Sequence, residues 1–191
     1  MRLLKIPKLK QFPRGLNIYY FGKGKGKTTA AIGLATRAVG YNLKVLFFQF
    51  FKSPKWPSGE RLALEKLGVK VEIHGSGFVG IWGDKKAFIE HKKSAEQAFS
   101  LAKRLLLSGK YQVVIFDEII SCLEVGLLKE KQIVDLIKQK TASLKIKNSH
   151  LIMTGHQKYP SLAKYCDLIT EMKMVKHPFY KGYLAVRGID Y

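Results

Sequence analysis

The stretch Gly22-Lys23-Gly24-Lys25-Gly26-Lys27-Thr28-Thr29 decides how this chain is read. It follows an apolar run, Leu16-Asn17-Ile18-Tyr19-Tyr20-Phe21, that reads as a buried strand, and it opens into a helical segment from Thr29 to Val39. Strand, glycine loop, Gly-Lys-Thr and helix together form the context of a phosphate-binding P-loop. Glycines let the backbone turn tightly and aim its N–H groups into one concavity. The helix N-terminus adds a partial positive charge there. In that setting Lys27 reaches phosphates and the Thr28 hydroxyl is placed to hold Mg²⁺. Gly22, Lys23, Gly24, Lys25, Gly26 and Thr29 complete the candidate nucleotide-binding set. The common spacing places a glycine where Phe21 stands, so the loop that begins at Gly22 is one residue short. The shortening implies that phosphates lie differently here from those in an ordinary NTPase.

Working outward, Lys44 to Phe51 and Val69 to His74 read as strands, as do Tyr111 to Phe116, His150 to Thr154 and Asp167 to Met172. Helices fall between them, over Glu60–Leu67, Asp84–Leu107, Ile119–Val125, Lys129–Lys140 and Ser161–Tyr165, with Asp84 as an N-cap and Gly40 as a C-cap of the first helix. Phe88, Ala95, Phe99, Ala102 and Leu106 recur at helical spacing and read as a core stripe. Strand and helix alternation gives an α/β fold, a mostly parallel sheet with helices on both faces. The fourth strand ends in Asp117-Glu118, which places two carboxylates at its carboxyl end. That is the Walker-B arrangement, and it makes Asp117 and Glu118, with Thr28, the candidate Mg²⁺ residues.

The chain has 191 residues and 47% hydrophobic composition, enough for one domain with a sizeable core and against overall disorder. We divide it into a basic arm, residues 1–15, and a single domain, residues 16–191. The formal net charge is +20, and no Asp or Glu precedes Glu60. A polyanionic ligand accounts for part of this excess. Arg2, Lys5, Lys8, Lys10 and Arg14 need another reason: a solvated tail, a lid or a nucleic-acid contact. Cys122 and Cys166 lack metal or redox spacing and read as free thiols of a reducing compartment. The start of the chain has no signal-peptide core and no apolar run spans a membrane, so the expected location is cytoplasmic, with no membrane partner.

These residues resemble the P-loop class of ATP:corrinoid adenosyltransferases (cob(I)alamin adenosyltransferases). The resemblance runs from about Asn17 to Tyr191. It is carried by the short P-loop itself, Gln49-Phe50-Phe51-Lys52, Gly59-Glu60-Arg61, Gly75-Ser76-Gly77-Phe78, Phe116-Asp117-Glu118, Thr154-Gly155, Thr170-Glu171-Met172 and Val175-Lys176-His177-Pro178-Phe179. It implies a RecA-like fold, a homodimer, an electron-donating reductase as partner, and a role in adenosylcobalamin biosynthesis or salvage. It also implies transfer of the 5′-deoxyadenosyl group of ATP to the Co(I) of a reduced corrinoid, with release of triphosphate. Co(I) is itself a strong nucleophile, so no Ser, Cys or His nucleophile is required. Lys25, Lys27, the loop N–H groups and Mg²⁺ on Thr28 and Glu118 then balance the triphosphate charge, with Asp117 behind them. In the family an aromatic near the corrin favours the four-coordinate state, and Phe78 is the matching residue.

The chain departs from the family pattern at several places. Phe78-Val79-Gly80-Ile81-Trp82 replaces a Phe-Thr-Trp run, so Trp82 either supplies the missing aromatic or simply packs. Lys23 stands where Asn is frequent. His156 stands where Arg is frequent, as a weaker, pH-dependent ligand for phosphate or a corrin amide. Two other readings follow from the residues: a RecA-like ATPase acting on nucleic acid, supported by the charge, and a nucleotide- or corrinoid-binding family member with weak catalysis. Against the nucleic-acid reading, the sequence has no arginine-finger motif and no RNA-binding signature.

Overall fold

The computed structural model describes residues 10–52, 58–75, 77, 79–80 and 87–190. Six strands, β1 (Asn17–Phe21), β2 (Val45–Gln49), β3 (Lys70–Ile73), β4 (Val113–Asp117), β5 (His150–Thr154) and β6 (Leu168–Glu171), form one sheet in the order β3-β2-β4-β5-β1-β6. Every neighbouring pair is parallel, so the expectation of a mostly parallel sheet sharpens to a wholly parallel one. All six carboxyl ends therefore open on one rim, where ligands of such sheets bind. β5 lies between the P-loop strand β1 and the acid-bearing strand β4, an arrangement that fits a RecA-like P-loop domain.

Alternating side chains split the core into two layers, because successive residues of a strand face opposite ways. Ile18, Phe47, Ile115 and Ile152 pack under α1 (Lys27–Gly40) and α2 (Gly59–Lys66). Tyr19, Phe48, Phe116 and Met153 face α3 (Phe88–Leu107), α4 (Ile119–Glu124) and α5 (Glu130–Ala142). The buried stripe of α1 is Ala31, Ala35 and Ala38, small residues that let the helix lie close on the sheet and keep its N-terminus at the rim. A short α6 (Pro160–Ala163) precedes β6, and Pro178–Lys181 forms a single 3-10 turn.

Several expectations need adjustment. Residue Phe88 begins α3 but is half exposed, whereas Ala95, Phe99, Ala102 and Leu106 are core. Gly40 closes α1 as its last helical residue, and the left-handed turn after it falls on Asn42 (φ 58°). The expected cap Asp84 lies outside the described residues. So do residues 1–9 of the basic arm, Phe78 and Trp82. The end of the arm is anchored: Arg14 makes two guanidinium bonds to the Asp167 carboxylate at 2.6 and 2.7 Å, and Gly15 N–H donates to Lys147 O. Cys122 is buried, Cys166 is half-buried, and both are free. Among the described residues no helix is long and apolar enough to cross a membrane.

Candidate active site

The glycine loop is clamped to the chain that leaves β5 and to the chain that leaves β6. Gly22 N–H donates to His156 O (2.9 Å) and Gly24 N–H to Met172 O (2.7 Å), so these two amides anchor the loop. A Cβ at Gly22 would stand 2.3 Å from Met172 O, and one at Gly24 would stand 2.6 Å from Lys173 O. Glycine is required at both places by this close approach, and at Gly22 also by a φ of +120°. The Lys27 side chain is buried and curls back into the loop, where its Nζ donates to Gly22 O (2.7 Å) and Gly24 O (2.9 Å). Burial lowers the Lys27 pKa, against the opposing charges of Glu118, Glu124 and Asp117.

Opposite the loop, Asp117 is buried within a closed set of donors. Thr28 Oγ1 (3.0 Å) and Thr154 Oγ1 (2.9 Å) donate to its Oδ1, and Gln49 Nε2 (3.2 Å) to its Oδ2. Burial, with the neighbouring Glu118 charge, pushes its pKa up to about 6 and outweighs those three bonds. Thr154 Oγ1 also accepts the Glu118 N–H (2.8 Å), so one hydroxyl fixes both acids. Glu118 itself sits in the left-handed region (φ 63°), uncommon for a residue with a side chain. Its carboxylate accepts from Ser121 Oγ. The two acids thus divide: Glu118 lines the cavity with the loop, while the oxygens of Asp117 are already engaged.

That cavity, about 460 Å³, is lined by Lys25, Gly26, Lys27, Thr28, Thr29 and Glu118, by Lys52 and Glu60 of the β2–α2 side, and by Gly188, Ile189 and Asp190 near the C-terminus. Lys52 and Glu60 form an ion pair. Burial works to raise the Glu60 pKa, but the bond from Lys52 leads a set that pulls it below the ordinary value. Gly22, Lys23 and His156 line a separate cavity on the β6 side of the loop, with Lys158, Glu171 and Lys173. His156 is held by Glu124, which accepts its backbone N–H (2.7 Å) and lies 3.3 Å from its Nδ1. The Glu124 bond raises the His156 pKa against the effect of burial. Burial works to raise the Glu124 pKa too, but its bonds from the His156 ring and from the Gln157 and His156 N–H groups win and lower it.

Lys27, Thr28, Asp117 and Glu118 are thus brought together as the sequence predicts. Gln49 and Thr154 stand in segments that carry the resemblance but have no role assigned from the sequence, and Ser121, Glu124 and Asp190 are not among its candidates. Gln49 and Thr154 carry a visible signal, a polar residue ending an apolar strand. Gly155 follows Thr154 because a Cβ there would lie 2.4 Å from Ile120 Cβ in α4. Asp190 gives no local signal, since only the path of the C-terminal chain brings it to Lys25.

Fold and site define an α/β protein with a wholly parallel sheet, consistent with a RecA-like P-loop domain, whose acid-bearing strand is separated from the glycine-loop strand by one other. A family profile described as ATP:corrinoid adenosyltransferase BtuR/CobO/CobP matches residues 13–191, and the chain belongs to that family. It is 34% identical over 181 residues to the corrinoid adenosyltransferase of Escherichia coli K12, covering 95% of this chain and 88% of that one. It is 32% identical over 181 residues to corrinoid adenosyltransferase CobA of Salmonella typhimurium, with the same coverage. Against the Pseudomonas aeruginosa corrinoid adenosyltransferase the identity is 31% over 180 residues, 93% and 84% of the two chains.

Proposed function

We propose that the cavity between Lys25–Thr29 and Glu118 holds the triphosphate of ATP while the 5′-deoxyadenosyl group passes to a reduced corrinoid. The observation that carries this reading is the meeting of Lys27 and Thr28, at the N-terminus of α1, with Asp117-Glu118 at the end of β4. The lone pair of Co(I) forms a bond to C5′ as the C5′–O bond breaks, and the triphosphate departs with the electron pair. The protein need supply no nucleophile. Its task is to hold the leaving group in line and balance its developing charge, which is transition-state stabilisation by preset charges and donors.

Each residue then has a part. Lys27 exchanges its two loop carbonyls for phosphate oxygens, and Lys25 adds a second ammonium. The amides at the start of α1 add donors and the helix dipole. Lys23 and His156, which share the cavity on the β6 side of the loop, take a phosphate or a corrin amide. Mg²⁺ fits the donors present: it prefers oxygen ligands and keeps waters, so a threonine hydroxyl, one carboxylate and phosphate oxygens suffice. Thr28 and Glu118 would hold it, and Asp117 orients Thr28 from behind. When bound, the ion offsets phosphate charge.

Phe78 is the residue proposed to face the corrin. β3 ends at the same rim as the glycine loop, and Gly75 packs against the Phe50–Lys52 backbone there. An external reductase supplies the electron that makes Co(I), in the cytoplasm. The chain acts as a homodimer, a reading supported by the half-exposed Leu168 and Ile169 on edge strand β6 and checked by light scattering in solution.

Product analysis tests the whole. With ATP, Mg²⁺ and chemically reduced cobalamin, the expected products are adenosylcobalamin and inorganic triphosphate. ADP and orthophosphate, made faster by DNA or RNA, would instead make the chain a nucleic-acid ATPase.

A further inference from the structure

The last described residues fold onto the phosphate site. Ile189 N–H (3.1 Å) and Asp190 N–H (2.7 Å) both donate to Val186 O, and Gly188 takes a φ of +80°, which closes a tight turn over residues 186–190. The Asp190 carboxylate braces this turn through Oδ2, which accepts Val186 N–H at 2.7 Å. Its other oxygen forms an ion pair with Lys25 Nζ, and Lys25 also donates to Ile189 O at 2.8 Å. The Asp190 side chain is 22% exposed, while Ile189 beside it is 71% exposed, so the turn directs its charge inward and its apolar residue outward. Asp190 shares the cavity wall with Lys27, Thr28 and Glu118.

A carboxylate paired with a phosphate-loop ammonium occupies the cation that a phosphate needs. We infer that Asp190 competes with the triphosphate for Lys25 and so weakens retention of the leaving group after transfer. This rests on the reading of the cavity as the triphosphate site. Inorganic triphosphate is highly charged, and a site built from two lysines, a helix N-terminus and a cation would otherwise release it slowly. The carboxylate of Asp190, held nearby by its own turn, returns to Lys25 as the anion leaves. The same rivalry acts on incoming ATP, where the adenosyl group provides further contacts to offset it.

The test is the affinity of the full chain for inorganic triphosphate, by calorimetry with Mg²⁺, in wild type and variants. Asp190→Asn keeps an acceptor for Val186 N–H and removes the charge. It is expected to bind triphosphate up to roughly fivefold tighter, the upper end of the range of a partly exposed ion pair. Triphosphate should become a correspondingly stronger inhibitor of turnover, and Asp190→Glu should return toward wild type. In a Lys25→Ala background the gain should vanish, because the coupling runs through that ammonium. Equal or weaker binding by Asp190→Asn overturns the inference, and so does a gain that survives without Lys25. A Lys27→Ala variant that binds triphosphate as wild type does would strike the site reading itself, and the inference with it.

Discussion

At the residue scale, the site is a set of charges whose states follow from what each one touches. Lys27 is buried, and in the proposed reaction its ammonium would stand beside the departing triphosphate. Lys27→Ala should lower kcat/KM for ATP by about a hundredfold or more, the cost of losing one preset charge at a leaving group. It should lower stability by only ~1–3 kcal/mol, from the two loop carbonyls left unpaired. Initial rates of adenosylcobalamin formation and a thermal melt separate these effects. Thr154 is a positioning residue, since its hydroxyl ties the Asp117 carboxylate to the Glu118 backbone. Thr154→Val keeps the shape and removes both bonds. It should reduce kcat about tenfold through a misplaced Glu118, with the KM for ATP little changed, and Thr154→Ser should restore most of the rate.

At the element scale, the glycine loop is shaped by a neighbour distant in sequence, the chain that follows β6. Gly24→Ala would drive a methyl group into the Met172 and Lys173 carbonyls. The loop must then lift from β6, at a cost of ~2 kcal/mol or more, since backbone cannot yield as a side chain can. The melting temperature and ATP affinity should fall together. Gly33, exposed in the middle of α1 with nothing within 4 Å of a Cβ, behaves in the opposite way. Gly33→Ala should stabilise the chain by ~1 kcal/mol, by helix propensity and reduced freedom of the unfolded state. It should leave turnover unchanged. The two glycines lie in one loop–helix unit, and only their surroundings separate their effects.

At the scale of the whole molecule, Lys140 closes the end of the sheet opposite the site. Its Nζ, fully buried, donates to Gly15 O (2.9 Å) and Asn17 Oδ1 (2.8 Å), which ties α5 to the start of β1. Burial, aided by the Arg14 charge and opposed by Asp167, lowers its pKa from 10.5 to about 8. Between those values the unfolded chain binds more protons than the folded one, so this group makes stability rise with pH across that window. The contribution reaches up to ~3 kcal/mol. Urea unfolding from pH 8 to 10 should therefore show the wild type gaining on Lys140→Met as pH increases. A difference that stays flat would mean that Lys140 titrates as in the unfolded chain.

The sequence alone determined the parallel α/β architecture, because apolar runs alternating with helical periods leave few other ways to bury both. It also marked out the glycine loop and the Asp117-Glu118 pair, since both are contiguous stretches whose chemistry depends on immediate neighbours. The missing residue of the loop was legible as spacing. Which acid faces the cavity came only from the family resemblance and not from the residues themselves, because it depends on Thr28, Gln49 and Thr154, drawn from α1, β2 and β5, taking up the oxygens of Asp117. Separation of Lys23 and His156 from Lys25 and Lys27 into two cavities likewise depends on Met172 clamping the loop between them. The contact between Lys25 and Asp190 spans 165 positions, so no local pattern could have announced it. Local chemistry is written along the chain, whereas the partner that satisfies or opposes a buried charge is chosen only when distant strands reach the same rim.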